Sequence, residues 1–280
     1  MKALKILVNI FMCIIVPYFL VRFTIDYFGY SMGFGVMILI CIALFLYLKP
    51  KIYTAWAWKK YSKNHDEGFK MFQKAYDTGK MSAQQSLMYA YLLIRDGHIV
   101  KAEKLITSIL LQKKSSLTKA NILAADLNLA IIYWKKNNID EAIEKMEYIY
   151  SKGYRSTVHY GTLGIFYILN NQLERALEFC TEAYEYNSGD ASIRDNLGLV
   201  YIKKGDWVKA EEIYEALFEE TTPNFIEAFY NYATVLEHRG DYAGACEFYQ
   251  KALGCPEKYL STIKRVQVEY ALSRAEEHIS

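Results

Sequence analysis

The sequence predicts an all-α solenoid of stacked helix–turn–helix units, preceded by two membrane-spanning helices. Three observations predict it. Leu163, Gly164, Tyr167 and Ala176 recur 34 residues later as Leu197, Gly198, Tyr201 and Ala210. A repeat of that length with small residues at fixed offsets is the signature of stacked helical hairpins. The first fifty residues hold two long apolar runs, and nothing later in the 280-residue chain matches them. No stretch carries the residue set of a catalytic or metal site.

The anchor comes first. Ile6–Val21 is apolar apart from Asn9, and Phe34–Leu48 is unbroken. A helix rising 1.5 Å per residue needs roughly 20 residues to cross a bilayer. The second run meets this by reaching back to Tyr27, and the first by extending from Ala3 to Phe23. The expectation is an anchor over residues 1–48, with a turn near 24–33. A cleaved leader is disfavoured because no small-x-small site follows the first run and a second apolar run does. Cys13 lacks the small residues expected before a lipidated cysteine. Lys2 and Lys5 precede the first run, and Lys49, Lys51, Lys59 and Lys60 follow the second, whereas the turn has Arg22 offset by Asp26. That asymmetry places both termini in the cytoplasm, as a multi-pass protein of a bacterial-type membrane. Gly29-x-x-x-Gly33 serves either as a flexible turn or as a close approach between helices. Tyr53, Trp56, Trp58 and Tyr61 then suit either the headgroup layer or a packed core.

The charge of +2 is concentrated in this anchor: residues 1–50 have four basic residues and one acid, leaving the remainder near neutral. Such a balance gives no footprint for nucleic acid. Five scattered cysteines with no paired spacing argue against a disulfide framework and agree with a reducing compartment.

The repeats start at residues 49, 83, 123, 157, 191 and 226 when Gly164 and Gly198 are placed at position 8. Position 8 then reads Trp56, Ala90, Ala130, Gly164, Gly198, Ala233, and position 20 reads Gly68, Ala102, Ala142, Ala176, Ala210, Ala245. Small side chains are required where the two helices of a hairpin cross, because larger ones force the axes apart. Larger residues fill the remaining space: Leu163 and Leu197 at position 7, Tyr133, Tyr167 and Tyr201 at position 11, Met146, Cys180 and Tyr214 at position 24. Position 15 reads Lys63, Gly97, Asn137, Asn171, Gly205, Gly240, and Gly or Asn tolerates the left-handed conformation that ends a helix. Residues 49–82 form an atypical first unit, with Trp56 and Lys59 where small and apolar side chains belong. Six extra residues fall in Leu110–Leu123, where the second repeat's outer helix is expected to run on, turn at Lys113–Ser116 and hand over at Thr118. After five regular units over 83–259, residues 260–280 read as a capping helix, with Ile263, Val266, Tyr270 and Ala271 on one stripe. Solenoid ends need such caps to shield the last apolar face.

These features resemble the tetratricopeptide repeat (TPR) family. The run Ala228–Leu253, AFYNYATVLEHRGDYAGACEFYQKAL, carries the family's aromatic, Asn, Gly-Asp-Tyr, Ala and aromatic-Gln-Lys-Ala-Leu pattern. The resemblance implies about six repeats with the first helix of each lining a concave groove. It implies a partner that is a protein or peptide, with no cofactor and no enzymatic activity. The groove residues it assigns are Leu87, Tyr91, Ile94, Leu127, Asn128, Ile131, Trp134, Lys135, Ile165, Ile168, Asn196, Leu199, Ile202, Lys203 and Asn231. Asn128, Asn196 and Asn231 occupy the position that bonds a ligand backbone in the family. The apolar members either hold an extended or helical partner segment, or are buried by tight superhelical curvature. A third arrangement is occupation by the chain's own C-terminal helix or by a second copy. Thr162 and Leu169 break the basic pattern that a clamp for acidic C-termini requires. A membrane-anchored adaptor is the expected role, with a regulatory peptide receptor, or an accessory subunit acting through its membrane helices, as the alternatives.

The five histidines have no helical i, i+4 partner and no nearby cysteine at ligand spacing. Carboxylate pairs such as Glu211-Glu212 and Glu219-Glu220 read as solvated helix faces.

Overall fold

The computed structural model describes residues 14–61, 63–79, 81–112 and 117–279. Among them are fourteen α-helices. The chain divides into two compact units, one ending at Gln85 and one beginning at Ser86.

The first unit holds α1 (Val16–Phe28), α2 (Tyr30–Tyr61) and α3 (His65–Asp77). Gly29 alone separates α1 from α2, at a φ of 86° that a Cβ would penalise. Gly33 then lies directly against the Ile25 side chain, where a Cβ has no room. One glycine thus makes the turn and the other the close approach. The expected open turn at 24–33 is helical apart from Gly29.

Two spanning helices are not found. Among the described residues one helix, α2, is long and apolar enough to cross a bilayer. α1 has 13 residues, about 20 Å at 1.5 Å per residue, against a hydrocarbon core of about 30 Å. Residues 1–13, including Lys2, Lys5, Cys13 and most of the first apolar run, lie outside the described residues. The multi-pass topology with both termini on one side is therefore not supported.

α2 changes character along its 32 residues. From Phe34 to Leu48 most of its large side chains are exposed, Leu39 and Phe34 at 66% and 60%, while Val36, Ile40 and Leu44 form one half-buried stripe. From Pro50 a single stripe is buried, Pro50, Thr54, Ala57 and Tyr61, at the spacing of one helix face. That stripe meets Gly68, Phe72 and Ala75 of α3, with Gly68 pressed on the backbone of Tyr61. Pro50 does not break the helix. The Thr54 hydroxyl donates to the Pro50 carbonyl at 2.7 Å. Trp56, assigned by the frame to the helix crossing, is 59% exposed, and Ala57 is fully buried in its place. With no earlier hairpin to pack on, this first unit shifts its contact face by one residue.

The second unit stacks five hairpins: α4 (Ala83–Arg95) with α5 (Ile99–Gln112), α6 (Lys119–Lys135) with α7 (Ile139–Ser151), α8 (Thr157–Leu169) with α9 (Leu173–Tyr186), α10 (Ala191–Lys204) with α11 (Trp207–Glu220), and α12 (Ile226–Arg239) with α13 (Tyr242–Gly254). α14 (Arg265–Glu276) packs on α13. α8, α10 and α12 touch in succession and make the inner layer there. Ala90, Ala130 and Ala233 at position 8, and Ala102, Ala142, Ala176, Ala210 and Ala245 at position 20, are all fully buried. A Cβ on Gly198 would fall 2.6 Å from the Tyr214 ring, and one on Gly164 would fall 3.0 Å from Cys180 Sγ. Position 15 has positive φ in all five hairpins, including 61° at Asn137 and 54° at Asn171. The turn expected at Lys113–Ser116 lies outside the described residues, and Thr118 caps α6 by accepting from the Asn121 N–H.

The capping helix presents a different face from the one its spacing suggested. Val268, Ala271 and Ala275 are buried, whereas Val266 and Tyr270 stand 68% and 71% exposed. Small residues win the buried face because α14 lies close on α13. The Arg274 guanidinium fixes it there through two bonds to Glu237, at 2.8 and 2.7 Å.

Candidate functional site

Position 6 of the inner helices shows what fixes the stack. The Asn128 amide donates to the Leu87 carbonyl at 3.0 Å, and Asn196 donates to the Gly161 carbonyl at 2.8 Å. Asn231 donates to Asp195 Oδ1 at 2.9 Å. Each asparagine is tied to the preceding inner helix. Each amide thus spends one N–H inside the stack, because a buried amide must find a partner.

The apolar residues divide into two groups. Leu87, Ile94, Leu127, Ile131 and Ile168 are buried at 8% exposure or less. Tyr91, Trp134, Ile165, Leu199 and Ile202 are half-buried, and Lys203 is exposed. Tyr91, Ile131, Trp134, Ile165, Asn196 and Leu199 come together around a cavity of about 450 Å³. That volume falls in the range of small-ligand sites. Ile94, Ile168, Ile202, Lys203 and the other expected groove residues do not line it.

Further residues complete the wall. Thr157, Val158, Gly161 and Phe166 belong to α8, Asp190 and Asp195 to the start of α10, and Phe225 and Glu227 to the start of α12. The roof is the connection between α13 and α14, through Lys258, Leu260, Ser261 and Thr262. This strap is fastened at both ends of the five-hairpin unit. The Thr262 N–H donates to Glu227 Oε1 at 2.7 Å, and the Tyr259 ring sits against Gly97, the turn between α4 and α5. A chain segment thus lies across the trough, though it is the connection rather than the capping helix that does so.

Two ionisable groups here are shifted. Burial holds the Asp195 carboxyl up near about 7, against the hydrogen bonds from Asn231 and Tyr214, and the Glu227 charge raises it further. Lys135 is lowered to about 8, first by burial and then by Lys264, with Glu227 opposing. Its Nζ lies 3.9 Å from the Trp134 ring centre and 5.1 Å from that of Tyr259. The ammonium therefore rests between two aromatic faces.

One sequence signal pointed to part of this. Position 5 reads Leu87, Leu127, Gly161, Asp195 and Tyr230, so a carboxylate interrupts an otherwise uncharged column. The strap left no such trace, since it follows the last repeat and shares no period with it.

Residues 196–259 match the tetratricopeptide repeat family model. That match falls on the last two hairpins of the stack and the start of the strap. A TPR protein from Parabacteroides merdae has a similar structure, with a TM-score of 0.63 at 11% identity over 95% of this chain and 99% of that one. TTC0263, a TPR protein of Thermus thermophilus, gives 0.55 at 21% identity, covering 70% of this chain and all of its own. PilF of Pseudomonas aeruginosa gives 0.53 at 16% identity over 70% of this chain and 85% of its own. At these identities the likeness establishes the fold. No curated protein matches the chain. The TPR inner surface is thus the place where this protein departs from a plain repeat, through Asp195, Lys135 and the strap.

Proposed function

We propose that the chain is a membrane-anchored adaptor that holds an apolar segment of a protein or peptide in the inner trough of its repeats. The observation that carries this reading is the set Tyr91, Trp134, Ile165 and Leu199. These four keep accessible surface around one cavity, whereas Ala90, Leu92, Phe166 and Val200 beside three of them are buried. Apolar surface left open on a concave face is favoured only when something covers it.

The anchor rests on α2. A helix that is apolar around its whole circumference and leaves most of its large side chains exposed from Phe34 to Leu48 suits lipid. Lys49, Lys51, Lys59 and Lys60 follow it directly, which places the repeats on the cytoplasmic side. The strap favours a second reading, a regulatory receptor whose trough is partly filled until a peptide arrives.

The test is in-membrane crosslinking of the full-length chain, comparing wild type with the Ile165→Asp/Leu199→Asp double variant. The exposed Val208→Asp variant serves as the control. A protein crosslinked to wild type and control should be lost from the double variant while far-UV helicity is unchanged. Equal recovery from all three would remove the trough from the function. A receptor instead shows no constitutive crosslink and a melting point raised by added peptide.

A further inference from the structure

Asp195 has a chemistry that the stack itself does not use up. It is 5% exposed, and both hydrogen bonds it accepts fall on one oxygen: Oδ1 takes the Tyr214 hydroxyl at 2.8 Å and the Asn231 amide at 2.9 Å. Among the described residues Oδ2 accepts no hydrogen bond, and no lysine or arginine forms an ion pair with this carboxyl. The residue lines the 450 Å³ cavity, so the free oxygen is left on the cavity side. A buried carboxylate without a cation is costly, and a cavity that brings one to its wall is completed by a ligand that supplies the charge.

The surroundings agree in sign. The ionisable groups lining the cavity are the carboxyls of Asp190, Asp195 and Glu227 and the Tyr91 phenol, with Lys258 on the strap as the single cation. α8 contributes threonines, glycine and apolar side chains. Lys135 on α6 is directed to Trp134 and Tyr259. Lys264 is held 3.3 Å from Glu257. Much of the remaining lining is aromatic and aliphatic, Ile131, Trp134, Ile165, Phe166 and Leu199 among it.

We infer that the cavity recognises a primary ammonium on an apolar carrier, with its nitrogen on Asp195 Oδ2 and its carbon chain against Trp134, Ile165 and Leu199. This rests on the reading that the trough takes a peptide, and it names what that peptide offers: a lysine side chain or a free N-terminus beside apolar residues. Ionised Asp195 accepts a charge-assisted bond from the ammonium, which is about twice as strong as a neutral one.

The experiment is calorimetric titration of the full-length chain in nanodiscs with three peptides. They are acetyl-Ile-Lys-Ile-amide, the same peptide with norleucine for lysine, and Ile-norleucine-Ile-amide with a free amino end. At pH 8 at least one ammonium peptide should bind roughly 10-fold tighter than the acetylated norleucine peptide. Which of the two it is identifies the source of the ammonium. The preference should vanish at pH 5.5, where the carboxyl titrating near 7 is protonated. Lys135 gains charge over the same range and repels a cation, so the Asp195→Asn variant is the necessary control. It keeps both hydrogen bonds to the side-chain oxygen, and it should erase the preference at pH 8 while still binding the norleucine peptide. Equal binding of all three peptides at pH 8, or an undiminished preference in Asp195→Asn, overturns the ammonium assignment and leaves the trough standing. No binding of any peptide overturns both.

Discussion

Asp195 and Lys135 pull the stability of the folded chain in opposite directions with pH. The Asp195 carboxyl is raised to about 7 in the fold, so the folded state binds the extra proton. Its contribution is full below the unfolded value near 4 and is lost as pH rises through 7. Lys135 is lowered to about 8, so the folded state sheds a proton early and gains stability between pH 8 and the unfolded value of about 10.4. The two together give a trough of stability between pH 7 and 8. Other carboxyls, Glu237 and Asp241 among them, are lowered by their partners, so their contribution is present above the unfolded carboxylate value and is lost as pH falls through the lowered folded value. The decisive measurement is therefore a difference curve. Thermal melts of wild type minus Asp195→Asn from pH 4 to 9 should fall steadily to pH 7 and then flatten. Asp195 could be seen in the sequence as a charge in an uncharged column. Its role could not, because the same letter at a helix start usually marks a solvated side chain, and burial is decided by α11 and α12.

At the scale of the hairpin, Gly198 is a tightly constrained position. A Cβ there would fall 2.6 Å from the Tyr214 ring, which is itself fully buried and holds Asp195. Gly198→Val should cost about 1–3 kcal/mol, read as a lower urea midpoint, because neither helix can move without breaking that bond. Gly205→Val should cost a similar amount for a different reason, its φ of 77°. The hairpins were the legible part of this protein. Small residues at positions 8 and 20 and Gly or Asn at 15 state a packing rule that each hairpin must obey alone. Where a hairpin lacks a neighbour the rule weakens, and there the sequence misleads: Trp56 points outward, and α14 buries Val268 and Ala275 rather than Val266 and Tyr270. Among the described residues one of the two expected spans is found. Composition shows which residues avoid water, whereas Gly29 decides where the helix turns back.

For the five-hairpin unit as a whole, stability is a sum over neighbours, so damage at one end should stay at that end. Arg274→Ala removes the double bond to Glu237, which also accepts from the Tyr249 hydroxyl at 2.8 Å. The pair is partly exposed, so about 1 kcal/mol is expected. Hydrogen exchange should quicken in α14 and in the strap ahead of it, with α6 to α11 unchanged; uniform quickening would mean that the unit opens in one step. None of the strap's contacts could be read from the chain, since Tyr259 and Gly97 are joined by curvature accumulated over several hairpins.

α2 runs through Pro50 with no break between its lipid-suited part and the stripe that seats α3. Nothing soft lies at that junction to absorb a change of phase. On the proposed anchor reading, one alanine inserted after Leu48 would swing the first hairpin about 100° around the helix axis. A client that meets the repeats from the aqueous side would not register the rotation. A client seated in the bilayer would be carried out of reach, so this single insertion tells which kind of client the protein serves.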